Sequence, residues 1–182
     1  MDHRSLRLQR IQRADHEFLF AVFCGTRPDV MQAELSPSQT LHFLRMQFQA
    51  QHNYYHEAFP NADYSVVLLG DVGSRHSKIG RLYVDHRYDE IRILDIALLP
   101  EFQSRGFGTA IVRAVIDRGW VERKPIRIHV ELFSRQIRFY DRLGFQKIGE
   151  IPTHQLMEHP IENQSALAFA EKTFRPVHSY SP

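Results

Sequence analysis

The sequence predicts an α/β domain, a mixed sheet with helices on both faces. Three observations predict it. Between Tyr64 and Leu99 the chain reads as a meander of β-rich runs broken by turn residues. Ile111, Val112, Val115 and Ile116 then line one helical face at spacings of three and four. Pro125 precedes another apolar strand, so a strand–helix–strand crossover follows the meander.

Each element has a local reason. Leu6 to Ile11 alternate apolar and polar, as a short strand does. Asp15 opens an apolar segment through Phe23, and Gly25 and Pro28 stop it, which reads as a helix. Ser36-Pro37-Ser38 starts a second helix, since proline is tolerated in a first turn. It carries Leu41, Leu44, Met46 and Phe48 before the polar, aromatic stretch QHNYYHEAF. Tyr64 to Leu69, closed by Gly70-Asp71, and Lys78 to Val84 read as a hairpin with a longer loop. Glu90 to Leu99 is a third, more apolar strand stopped by Pro100. A helix follows from Gly108 to Arg118, and then a strand from Ile126 to Leu132. Ser134 can cap a helix running to Leu143, which Gly144 ends as a left-handed cap. Phe145 to Ile151 and His154 to Glu158 read as two short strands. The reading is one domain over residues 1–160 and a C-terminal extension over 161–182, where NQSALAFAEKTF suits a docking helix or a loose tail equally.

Composition narrows the class. The chain has 182 residues, enough for one domain with a real core, and is 43% hydrophobic and 24% charged, ordinary for a globular protein. A formal net charge of +2, with basic residues scattered, gives no field to recruit nucleic acid or a membrane surface. The eleven histidines pair at no recognisable metal spacing, so no metal is expected. A lone cysteine, Cys24, excludes an internal disulfide, fits a reducing compartment and reads as a small buried hydrophobe. No apolar leader core and no stretch of membrane-spanning length is evident, so the expected location is cytoplasmic.

The chemistry concentrates in one turn. After the strand ending at Pro100, Gln103-Ser104-Arg105-Gly106-Phe107-Gly108 stands at a helix N-terminus. Backbone N–H groups there lack intrahelical partners, and the helix dipole adds positive potential, which suits a phosphate. Gly106 and Gly108 let the backbone approach a pyrophosphate, and Arg105 adds a charged donor. The same residues also suit a plain tight turn. The third glycine of a dinucleotide fingerprint is absent, because Ile111 stands there, and no Gly-Lys-Ser/Thr follows as in a P-loop.

Gln103-x-x-Gly106-x-Gly108 resembles the acyl-CoA signature Q/R-x-x-G-x-G/A of the GNAT superfamily of N-acetyltransferases. Some thirty residues on, SRQIRFYDRLGF (Ser134 to Phe145) resembles that family's second motif, N-x-x-A-x-x-x-Y-x-x-x-G-F. The likeness covers Tyr64 to about Glu158, and the two N-terminal helices fit in position. It departs at Ser134, where the family often has Asn, and at Ile137, a bulkier residue than usual beside the cofactor groove. The resemblance implies a mostly antiparallel sheet of six to seven strands flanked by about four helices.

It also implies a site. Acetyl-CoA would be the co-substrate, with its pantetheine arm along a splayed strand, Asp95 to Leu99, on main-chain groups of Ile96, Ala97 and Leu98. Gln103 and the amides of Ser104, Arg105, Gly106, Phe107, Gly108 and Thr109 would hold the pyrophosphate, with Ser134 and Arg138 bordering the same ligand. Tyr140 matches the tyrosine that meets the departing sulfur, although its spacing from Ile137 and Leu143 also suits a core aromatic. A phenol of pKa about 10 is a poor donor of a whole proton to a thiolate of about 8.5, so a hydrogen bond is the role expected of it.

A base would help the amine lose its proton. Asp95 shares a strand face with Ile91, Ile93 and Ala97, a carboxylate among apolar neighbours. Glu131 and His129 alternate with Ile128, Val130 and Leu132, and read as cleft residues or solvent-facing ones. In the family layout His42 to Phe59 borders the acceptor, with Tyr54, Tyr55, His56 and Glu57 offering rings and one anion. The expected activity is acetyl transfer to a primary amine of a small molecule or peptide in a ternary complex, with a homodimer compatible. The alternative is a non-catalytic acyl-CoA-binding sensor of the same fold.

Overall fold

The computed structural model of the chain describes residues 5–31, 33–70 and 76–161. The predicted turn over 71–75 and the stretch 162–182 lie outside the described residues. The strands are β1 (Ser5–Arg10), β2 (Asp63–Gly70), β3 (Ser77–His86), β4 (Ile91–Leu98), β5 (Ile126–Glu131), β6 (Gln146–Glu150) and β7 (His154–His159). They form one sheet in the order β1-β2-β3-β4-β5-β7-β6. Every pairing is antiparallel except β4 with β5, the one joined by a helical crossover. Five helices are described: α1 (His16–Gly25), α2 (Pro28–Met31), α3 (Pro37–Ala58), α4 (Phe107–Glu122) and α5 (Gln136–Asp141). The architecture is the mixed, mostly antiparallel one expected, at the upper end of the strand count and with one more helix.

Two cores lie on the two faces. Against α4 and α5 pack Val67, Leu82, Val84, Ile91, Ile93 and Ile128, with Ile111, Val112, Val115 and Ile116 as the helical side. Against α1 and α3 pack Val66 and Leu68, with Leu19, Phe20, Phe23, Leu44 and Phe48. Adjacent strand residues such as Val66 and Val67 therefore serve opposite cores, which is why β2 reads as a continuous apolar run.

Three boundaries differ from the sequence reading. Helix α3 does not stop before its aromatic stretch; it continues through Tyr54 and Tyr55 to Ala58. Tyr55 and Phe59 supply the reason, since they pack on a third cluster with Tyr64 and Tyr83. The helix starts at Ser36-Pro37 as expected, and the structure adds a capping box there: Ser36 Oγ accepts from Gln39 N, and Gln39 Oε1 accepts from Ser36 N. The short α2, whose Val30 is buried, was not anticipated. Helix α5 is only six residues long, although Ser134 Oγ accepts from Gln136 N and Gly144, at φ +89°, closes the turn as expected.

One ion pair ties the start of α1 to the sheet. Asp15 is buried, accepts from Gln12 N and bonds the Lys78 ammonium. Burial pushes its carboxyl up, but the Lys78 bond, the Gln12 N–H and the Lys78 charge outweigh that and hold it below 3.8. A depressed acid stabilises the fold above its unfolded value, and that stability is lost as pH falls below 3.8 towards the folded value. Asp15→Asn is therefore expected to lower the thermal midpoint at pH 6 and to flatten its decline below pH 4. Melting curves across that range check it, and parallel curves for the two proteins would contradict it.

Candidate active site

Strand β4 is paired with β5 only at Ile91↔Ile126, Arg92↔Arg127 and Ile93↔Ile128. Beyond Ile93 the two strands part, while β4 stays on β3 through Leu98 and β5 stays on β7 through Glu131. The cleft so formed carries one unpaired strand edge on each side, a place where an extended ligand can add as a strand does.

Two features of β4 correct the sequence reading. Tyr83 pairs with Asp95 and Val84 with Ile93, so Leu94 is an extra residue, a β-bulge. One inserted residue reverses the alternation. Ile96 and Leu98 thus join Ile91 and Ile93 on the α4 side, while Asp95 turns to the opposite face with Arg81 and Tyr83. Asp95 does not share a face with Ile91 and Ile93. The main-chain carbonyl of Leu98 is also not free, because Gln103 Nε2 donates to it at 2.8 Å. Gln103 acts here as a brace between the strand end and the following loop.

That loop is open. A single 3-10 turn over Pro100–Phe102 leads to Ser104 at φ +56° and Gly106 at φ +86°, and Gly106 is the N-cap of α4. Among the described residues no side chain caps the helix, so the N–H groups of Phe107, Gly108 and Thr109 face outward at the positive end of a 16-residue helix. Ser104, Arg105 and Gly106 are exposed. The Arg105 guanidinium lies over the Phe102 and Phe107 rings and donates to Glu101 O, beside the opening and not across it. Gly106 needs its glycine for the left-handed backbone. Gly108 does not, and a Cβ there would touch only Phe139 Cζ at 3.7 Å, an ordinary contact. Nothing among the described residues explains glycine at 108, whereas a ligand lying on the first turn does.

Tyr140 stands on α5, 1% exposed, edge-on to Phe139 and Phe145. Burial, and secondarily the Asp95 charge, hold its phenol proton well above the ordinary range. Tyr140 belongs to the α4-side core and Asp95 to the other face, so the parted strands lie between an aromatic hydroxyl and a carboxylate. Ile137 packs into the same core. Ser134 is half-buried at the start of α5, and Arg138 is exposed.

Asp95 is held by Arg81, with Arg81 Nη2 2.6 Å from Asp95 Oδ2. The guanidinium is 2% exposed, also donates to Gln51 Oε1 at 3.0 Å, and lies over the Tyr83 ring. Burial pushes the Asp95 carboxyl above its usual value against the opposing pull of Arg81. The same burial takes Tyr83 up to about 12. Tyr55, from the aromatic stretch of α3, donates its hydroxyl to Leu94 O and so pins the bulge.

The other two base candidates are differently situated. Glu131 is exposed at the end of β5, opposite His154. His129 Nδ1 lies 3.0 Å from Arg92 Nη1, and arginine can only donate, so that nitrogen accepts and Nε2 carries the proton. Burial and then the Arg92 charge lower its pKa and keep it neutral. A neutral imidazole with its acceptor already occupied has no lone pair left for an amine proton.

Arg81, Gln51 and Leu94 were missed from the sequence. Arg81 left a signal: a lone arginine inside KIGRLYV, a run otherwise bound for burial, needs a buried carboxylate. Among the described residues, no group of three His, Cys, Asp or Glu side chains is arranged to hold a metal ion, and no helix is long and apolar enough to cross a membrane.

The fold recurs among solved structures, and part of the chain matches a family model. Residues 63–147 match the family model described as the acetyltransferase (GNAT) domain. The fold is similar to that of the PaiA N-acetyltransferase from Thermoplasma acidophilum in complex with coenzyme A, at 14% identity and a TM-score of 0.62, covering 86% of this chain and 99% of that one. An acetyltransferase from Thermus thermophilus is similar at 17% identity and 0.62, covering 88% and 99%. A spermidine N-acetyltransferase chimera from Vibrio cholerae and hSSAT is similar at 16% and 0.56, covering 86% and 95%. No curated protein sequence matches. The matched segment and the shared fold define an acetyltransferase-type domain. Residues 63–147, just under half of the chain, resemble a GNAT acetyltransferase domain, and the fold as a whole is similar to that of these structures.

Proposed function

We propose that this chain is an N-acetyltransferase that moves an acetyl group from acetyl-CoA to a primary amine of a small molecule or peptide. The observation that carries the reading is the parted β4–β5 edge leading directly into the uncapped, glycine-lined start of α4. A thioester with a pantetheine arm and a pyrophosphate matches both parts at once. The N–H groups from Ser104 to Thr109 hold the phosphates, and the free β4 edge at Ile96 and Ala97 takes the arm, with Gln103 keeping the strand end and loop in register.

Acetyl-CoA supplies the electrophilic carbonyl carbon. The amine nitrogen forms the new C–N bond in a ternary complex and the C–S bond breaks. Asp95, its Oδ2 held by Arg81, takes the amine proton through its other oxygen, directly or through water. Tyr140 donates a hydrogen bond to the leaving thiolate. Its raised pKa suits that role, since a phenol that keeps its proton stabilises charge without transferring it. The domain is assigned to residues 1–160, with 161–182 as an extension.

Tyr140→Phe keeps the ring packing and removes the hydroxyl. Its turnover is expected to fall about a hundredfold, the cost of one charge-stabilising donor, with coenzyme A affinity nearly unchanged. Single-turnover rates and titration calorimetry separate the two, and wild-type turnover would remove Tyr140 from the mechanism. The reading as a whole is tested by following thiol release from acetyl-CoA across a panel of amines. Release with any amine establishes transfer; tight coenzyme A binding without release on any of them would favour the non-catalytic sensor.

A further inference from the structure

On the sheet face that carries α1 and α3, a cavity of about 500 Å³ opens between β1, the turn before α1, α3 and β2. Its floor is apolar, with Leu19, Ala62 and Tyr64 all buried. Its walls are basic: Arg10, Arg13, His16, His52 and His56 line it, and among the described residues no aspartate or glutamate does. The neighbouring acids are engaged elsewhere. Asp15 bonds Lys78 and Gln12 N. Glu17 lies 3.6 Å from His16 but gives both carboxylate oxygens to Arg45. Among the described residues, Arg10 and Arg13 form no ion pair.

The imidazoles are ordered by contact. His16 lies 6.0 Å from His52, His52 lies 4.5 Å from His56, and His56 stacks on Tyr64 at 4.2 Å between ring centroids. Burial first, and then the neighbouring His56, His16 and Arg81, lower the pKa of His52. Guanidinium groups without carboxylates bind carboxylate or phosphate through paired N–H donors. An apolar floor takes the body of such a ligand.

We propose that this cavity binds a small organic anion, its carboxylate or phosphate held by Arg10 and Arg13 and its apolar body resting on Leu19, Ala62 and Tyr64. The site is separate from the parted strands. Tyr64 pairs with Tyr83 and Tyr83 with Asp95, so two strand spacings, about 10 Å, divide its floor from Asp95. Binding here stands independently of acyl transfer.

Titration calorimetry on the full chain with phenyl phosphate, benzoate and benzylamine tests it. One or both anions are expected to bind and benzylamine not to; which anion wins identifies the head group. Arg10→Glu and Arg13→Glu are each expected to weaken anion binding about tenfold or more, the loss of a charged hydrogen bond. Both arginines are exposed, so thermal midpoints should stay at the wild-type value. Gly108→Arg should leave this affinity unchanged, whatever it does to coenzyme A. Silence with both anions, undiminished binding in both arginine variants, or loss of binding in Gly108→Arg in place of the arginine variants would each overturn the proposal.

Discussion

Gly108→Arg is expected to weaken coenzyme A binding about a thousandfold or more while the fold persists. Two or three charged hydrogen bonds from the first turn of α4 to a pyrophosphate, at about 1.5–3 kcal/mol each, reach that figure when the approach is blocked. The fold should persist for two reasons. A Cβ at 108 makes only an ordinary contact with Phe139 Cζ, at 3.7 Å. Arginine is also a better helix former than glycine, by about 0.8 kcal/mol. Calorimetric titration with coenzyme A, paired with a melting curve, checks both halves. Unchanged affinity would remove the α4 N-terminus as the phosphate site.

Asp95→Asn is expected to destabilise the protein by about 3 kcal/mol and to abolish the acid limb of its turnover profile. The first effect arises because Arg81, 2% exposed, would keep a buried charge with only Gln51 Oε1 and an amide oxygen to meet it. The second follows from the proton role. Burial raises the Asp95 carboxyl above 3.8, so the wild-type rate falls as pH drops through that raised value and the base fills with its proton. Asparagine has no such proton to take up, so the residual rate should lose that dependence. Chemical denaturation measures the first effect and a pH–rate series the second. An Asn variant as stable as wild type would contradict the ion-pair argument, and one that kept the acid limb would assign the base elsewhere.

The legibility of the site in the sequence followed the range of the forces involved. Gly106, Gly144 and Ser36 announce their turns because a left-handed backbone and an uncapped helix end are problems of a few adjacent residues. Tyr140 was readable as a member of a spaced motif, and its burial on α5 followed from helical periodicity. Asp95 was read as a carboxylate among apolar neighbours but assigned to the wrong face, because one residue, Leu94, breaks the alternation. The end of α3 was misjudged for a related reason. Its polar-looking aromatic stretch is helical because Tyr55 finds Leu94 O and Tyr83 across the fold, which intrinsic propensity does not report.

The sequence by itself determined the order of the strands and of the helices other than α2, the crossover between β4 and β5, and the glycine-lined helix start, since periodicity, capping and backbone sterics act within a turn or two of chain. Tertiary structure alone decided that β4 and β5 part after Ile93, that Arg81 meets Asp95, and that five basic side chains surround one cavity. Those are contacts between residues tens of positions apart. Their geometry depends on strand register, which a single bulged residue can reverse.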